Sequence, residues 1–150
     1  MNSLSTAFVR SLLFAALFSM TVTAQNGENN PIWKEISKNK FNTTFYDLAM
    51  LVAAKGEVFD VAVKTDYNSE QVMPGLERRY FSEVLVYTVH LKEARYLIKK
   101  ASYFDGRGTL IKTFNYFTDD EAGLSQMLPV TKGTDVYDLI VIHRIIHDKD

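Results

Sequence analysis

"YFSEVLVYTVHL", Tyr80 to Leu91, decides how the rest of the chain is read. Leu85, Tyr87, Val89 and Leu91 fall on one side at a period of two, and Val84, Val86, Thr88 and His90 fall on the other. That period marks a strand. Apolar groups on both sides place the strand inside a sheet, flanked by others.

Working outward, "EVFDVAVKTDY" (Glu57 to Tyr67) repeats the pattern, with Phe59, Val61 and Val63 on one face and Asp60, Ala62 and Lys64 on the other. Before it, "TTFYDLAMLVA" (Thr43 to Ala53) is β-branched and aromatic at its start and is expected to be a strand, joined through a Lys55-Gly56 turn as a hairpin. Order is expected to begin at Ile32-Trp33. Asn68 to Arg79 is a loop turning at Pro74-Gly75. Downstream, Ala94 to Phe104 and Thr109 to Phe117 are strands around "DGRG", where Asp105-Gly106 is expected to supply the positive φ of a tight turn. "TDDE" (Thr118 to Glu121) opens an acidic loop.

The end of the chain changes period. Thr134 can cap a helix, with Asp135 near the positive end of its dipole. Val136, Leu139, Ile140, His143 and Ile146 then form one stripe at 3.6 residues per turn. The stripe must be buried, and the nearest apolar surface is one face of the sheet. The expected fold is α+β: a single antiparallel sheet of about six strands with a C-terminal helix packed on one face.

The first 24 residues read as a signal peptide. Arg10 precedes an apolar run from Leu12 to Phe18, and Val22-Thr23-Ala24 offers small residues for cleavage. The uncharged stretch Ser11 to Ala24 is 14 residues, short of the about 20 that a spanning helix needs. Residues 25–31 are then a polar leader and 32–150 one domain. No integral membrane segment is expected in the mature chain. The chain has no cysteine, so no disulfide is expected, nor a thiol for a lipid anchor. The expected location is exported: periplasm, secreted or cell surface.

The net charge is −1, and removing Arg10 makes the mature chain one unit more acidic, so a nucleic-acid partner is not expected. His143 and His147 stand one turn apart and could share a metal, but His90 is the only other histidine and the glutamate of a zinc-protease helix is missing. They read as packing residues, with His143 between helix and sheet and His147 in solvent. No serine lies in a nucleophile-elbow context, and no phosphate or cofactor loop is found. The sequence therefore points to a chain without metal, cofactor or catalysis.

For binding, Arg78 and Arg79 stand in the loop before the central strand, and Arg95, Lys99 and Lys100 lie on the next strand with Tyr96 and Tyr103 among them. Cations beside tyrosines can hold acidic polymers; the competing reading is a solvated face with edge-guarding lysines.

Trp33, "FYD" (Phe45 to Asp47), "KGEV" (Lys55 to Val58), "YFDGRG" (Tyr103 to Gly108) and "KGTDVYDLIVI" (Lys132 to Ile142) together resemble the surface-adhesin protein E family of exported bacterial proteins, over about Ile32 to His147. The resemblance implies an antiparallel sheet with the C-terminal helix on its concave face. In that family a disulfide often tethers this helix to the central strand. The matching places here are Leu91 and a position near Arg144, neither of them cysteine, which leaves packing of Leu91 against Val136, Leu139, Ile140 and His143 to replace it. The type member is an outer-membrane lipoprotein that binds host matrix proteins. The resemblance thus implies a binding domain for a host matrix protein, and the cations add an acidic polysaccharide as a second ligand class. The alternative is a periplasmic structural or inhibitor module with a protein partner in the same envelope. A homo-oligomer is compatible with either.

Overall fold

The computed structural model describes residues 30–117 and 126–148. The readings of a signal peptide at 1–24, of most of the leader and of the acidic stretch at 118–121 lie outside the described residues. The chain forms β1 (Trp33–Lys38), β2 (Asn42–Asp47), α1 (Leu48–Ala53), β3 (Val58–Gln71), β4 (Tyr80–His90), β5 (Arg95–Phe104), β6 (Leu110–Asn115), β7 (Leu128–Pro129) and α2 (Asp135–His147). The six longer strands form an antiparallel meander in sequence order, and the two-residue β7 pairs with β5 at Arg95 and Tyr96. The single antiparallel sheet with a C-terminal helix is the fold expected from the period-two and 3.6-residue patterns.

β4 lies between β3 and β5, with Val61 opposite Tyr87 and Val63 opposite Leu85. This register puts the apolar sides of β3 and β4 on one face. α2 lies against it: Val136, Leu139 and Ile140 share one buried cluster with Phe59, Val61, Val63 and Val89, and Leu91, Tyr87 and Tyr96 pack around it. Fully burying an aliphatic side chain stabilises by about 1.5–3 kcal/mol, so this stripe anchors the helix. Thr134 caps α2 by accepting from the Tyr137 N–H at 3.3 Å. Among the described residues, no helix is long and apolar enough to cross a membrane.

The stretch from Thr43 to Ala53 is not one strand. The strand ends at Asp47, whose carboxylate accepts from the backbone N–H groups of Ala49 and Met50 and so starts α1. Leu, Ala and Met then sustain the turn, and Leu51 points fully buried into the core. β2 and β3 pair but are joined through α1, and not as a hairpin at Lys55-Gly56. β3 also runs on to Gln71, which pairs with Tyr80. In the "DGRG" turn the positive φ belongs to Gly108 at 77° and not to Gly106. Gly106 is needed for space, since a Cβ there would meet the Phe81 ring at 3.3 Å.

The two edge strands are irregular. Ile36 in β1 and Ile111 in β6 each stand without a partner in the register. Such bulges twist an edge away from regular pairing with another chain.

Candidate functional site

The five cations singled out in the sequence do not form one patch. Arg78 and Arg79 lie in the loop entering β4. Arg78 Nη2 donates to Asp105 Oδ2 at 3.2 Å, which ties this loop to the β5–β6 turn. The Asp105 carboxyl is held below its usual range by the Thr109 N–H first, then the Arg107 N–H, with Arg78 adding to them. Arg79 pairs with Glu70. Arg95 lies at the opposite end of β5, about 30 Å away along the strand, where its Nη1 donates to the Met127 carbonyl at 3.0 Å. Lys99 sits at a bulge in β5 and bonds Asp60 at 2.9 Å. Thr88 donates to the same carboxylate at 2.6 Å. Lys100 is exposed. Nor do the tyrosines stand among these cations: Tyr96 packs edge-on against Tyr87 beneath α2, and Tyr103 belongs to a second core.

That second core continues the helix-bearing face toward β6. Tyr80 meets Tyr67 and Tyr103 edge-on at 5.8 and 4.9 Å, and Phe114 meets Tyr103 at 6.0 Å. Tyr67 donates to Glu83 Oε1 at 2.7 Å. Burial raises the Glu83 carboxyl above its usual range, against the pull of the Tyr67 hydroxyl. Burial, with Glu83 nearby, pushes the Tyr103 phenol up to about 12.

Over this core lies a groove of about 330 Å³, walled by Leu76, Glu77 and Arg78 from the loop and by Leu110, Ile111 and Lys112 from β6. Strand neighbours ordinarily point to opposite faces; the bulge at Ile111 lets three consecutive β6 residues line one groove. Leu76 and Ile111 pack on the second core, while Lys112 spans to the Gly75 carbonyl at 3.3 Å. The result is a trough of mixed polar and apolar lining that holds the Arg78 guanidinium, bonded to Asp105, and the Lys112 ammonium, bonded to the Gly75 carbonyl. Of the five cations Arg78 alone lines it; Leu110, Ile111 and Lys112 carry no sequence signal for it, because their approach to Leu76 depends on the register of two strands.

The histidines have a structural role. His143 stacks on Phe59 at 4.5 Å, and its Nε2 bonds the Ala54 carbonyl at 3.2 Å. His147 does not end in solvent, as expected from its place near the chain end: its Nε2 bonds the Leu51 carbonyl at 3.1 Å, and its ring lies 4.3 Å from His143. Together they hold carbonyls at the end of α1, which is why α2 needs histidine one turn apart. Among the described residues, no three His, Cys, Asp or Glu stand together as a metal site.

This geometry gives a pH dependence. Burial lowers the His143 proton affinity, helped by His147 and Arg144 and opposed by the Ala54 carbonyl and Asp148. The unfolded chain then takes up a proton more readily than the folded one. The stabilisation is present above the ordinary histidine value of about 6.5 and is lost as pH falls below it. Glu83 and Asp135, both raised by burial, act in the opposite direction near the acid end. The readout is therefore a difference: between pH 7.5 and 5.5, the wild type should lose more of its urea midpoint than His143→Asn does. Equal losses would show that His143 does not titrate in folding.

No protein-family model, curated protein or solved structure matches this chain.

Proposed function

We propose that this chain is an exported, non-enzymatic binding domain whose groove between residues 76–78 and β6 takes an acidic ligand, protein or polysaccharide. The observation that carries the reading is the placement of two cations, Arg78 and Lys112, in the lining of one trough beside Leu76, Leu110 and Ile111. The Arg78 side chain is 60% exposed despite its contact with Asp105, and its planar fork retains further donors for a carboxylate or sulfate. None of the six lining residues is a serine, cysteine or histidine, which favours holding over bond-making. The secretory pattern at the start of the chain and the resemblance to the surface-adhesin protein E family support an exported binder and give adhesion to host matrix proteins as the first role to test.

Binding of the chain to immobilised heparin and to matrix proteins, with an Arg78→Ala, Arg79→Ala double variant, tests this. The variant should fold normally and bind about fivefold more weakly, the value of roughly 1 kcal/mol from a lost exposed charge contact. The difference should shrink as salt rises, since exposed charges are screened over about 10 Å at 0.1 M. Arg79→Ala alone should change little, because Arg79 pairs with Glu70 outside the groove. Unchanged binding by the double variant removes the arginines from the site. No binding by the wild type to either class moves the reading to a module that binds a protein of its own cell envelope.

A further inference from the structure

We infer that the outer side of α2 is a pairing surface on which a second copy of this chain docks, its α2 running antiparallel to the first. That side carries Asp138, Val141, Arg144, Ile145 and Asp148, all exposed, in a stripe at helical spacing opposite the one buried on Phe59 and Val61. Val141 is 40% and Ile145 57% exposed, and both gain from apolar cover.

The stripe is its own complement. Three residues before and after Val141 stand Asp138 and Arg144; four residues before and after it stand Tyr137 and Ile145. When two copies of α2 cross antiparallel at Val141, the two-fold axis sets Asp138 against Arg144 of the partner subunit, twice, and Ile145 against the partner's Tyr137. Neither Asp138 nor Arg144 has an ion pair among the described residues of its own chain. A parallel pair would set like charges together at both positions, so the charges select the antiparallel one. The other charges on the helix agree. Two carboxylates and one guanidinium leave the stripe one unit negative. The extra carboxylate is Asp148, which faces the N-terminal end of the partner's α2, where the helix dipole favours an anion. Asp135 also stands at that end, but on the flank where Ser37 Oγ donates to it at 3.5 Å. His143 and His147 are turned the other way, onto α1.

One helix laid on another falls below a standard interface, so the pair is weak, with a Kd of the order of 0.1 mM. It is dissociated in dilute solution. None of the groove-lining residues is on α2, so a pair carries two grooves, and a polymer that reaches both is held with avidity.

Sedimentation equilibrium of the purified chain, from about tenfold below that Kd to about tenfold above it, tests the inference. The wild type should pass from monomer to dimer. Asp138→Arg or Arg144→Asp alone sets like charges together twice and should weaken the dimer about tenfold. An equimolar mixture of these two variants should recover it to within about threefold of wild type, because the mixed pair has opposite charges at both contacts. Val141→Asp, at the axis, should abolish the dimer while keeping its urea midpoint in dilute solution. A wild type that stays monomeric overturns the inference. So does a dimer that survives Val141→Asp or both single charge reversals, since the contact then lies elsewhere. A mixture that stays dissociated also overturns it, because antiparallel pairing requires the recovery.

Discussion

Ile140→Asp is expected to leave the chain largely unfolded at 25 °C. Ile140 is 6% exposed and sits on the stripe of α2 that meets Phe59, Val61, Val63 and Val89. The hydrophobic side chains of that cluster offer a carboxylate no cation, and His143, one turn along the same stripe, is already engaged with the Ala54 carbonyl through Nε2. Burying a charge without a partner costs several kcal/mol even after protonation relieves part of it, against a total stability of about 5–15 kcal/mol for a domain of this size. The loss would also free α1, because His143 and His147 of α2 hold its terminal carbonyls. Val141→Asp is the control: its side chain is 40% exposed on the next position of the same helix, and the change should stay within about 0.5 kcal/mol. Urea denaturation and limited proteolysis of the two variants decide the matter. A cooperative, near-normal transition in Ile140→Asp would mean that the stripe does not carry the fold.

The contrast between those two neighbours shows what could be read from the sequence. A 3.6-residue stripe with a threonine cap identifies which side of α2 is buried, and the period of two from Tyr80 to Leu91 identifies the strand beneath it. α1 was not legible. Leu48 to Ala53 is a six-residue apolar run with no polar position to give it a phase, and Asp47 before it looks like a strand end until its carboxylate is seen on the Ala49 and Met50 N–H groups. Among the cations, spacing alone could not say which already had a carboxylate. Lys99 meets Asp60 from 39 residues away, and Arg78 meets Asp105 from 27 residues away while keeping most of its side chain in solvent. The groove itself follows from an unpaired Ile111, and one extra residue in a strand leaves no mark in composition or period.

Asp47→Ala is expected to cost about 2–4 kcal/mol, although it removes a surface-type residue from the end of a short strand. Asp47 is buried, and a single oxygen, Oδ1, accepts from three backbone N–H groups: Ile32 at 3.1 Å, Ala49 at 2.9 Å and Met50 at 3.4 Å. Two of these start α1, and the third fixes the entry of the chain into β1, where Trp33 pairs with Asp47 and the Leu48 N–H donates to the Ile32 carbonyl at 2.8 Å. Losing the cap accounts for about 1 kcal/mol, and leaving a partly buried N–H without an acceptor adds about 1–3 kcal/mol more. Asp47→Asn retains an acceptor at the same position and should cost less than half as much. The damage should also be local before it is global. A loosened α1 withdraws the Leu51 and Ala54 carbonyls from His147 and His143, so trypsin should cut after Lys55 faster in Asp47→Ala than in Asp47→Asn at urea concentrations where both are still folded. Equal urea midpoints and equal cutting for the two variants would show that the carboxylate is not what turns this strand into a helix, and that the apolar burial of Leu51 alone holds α1 in place.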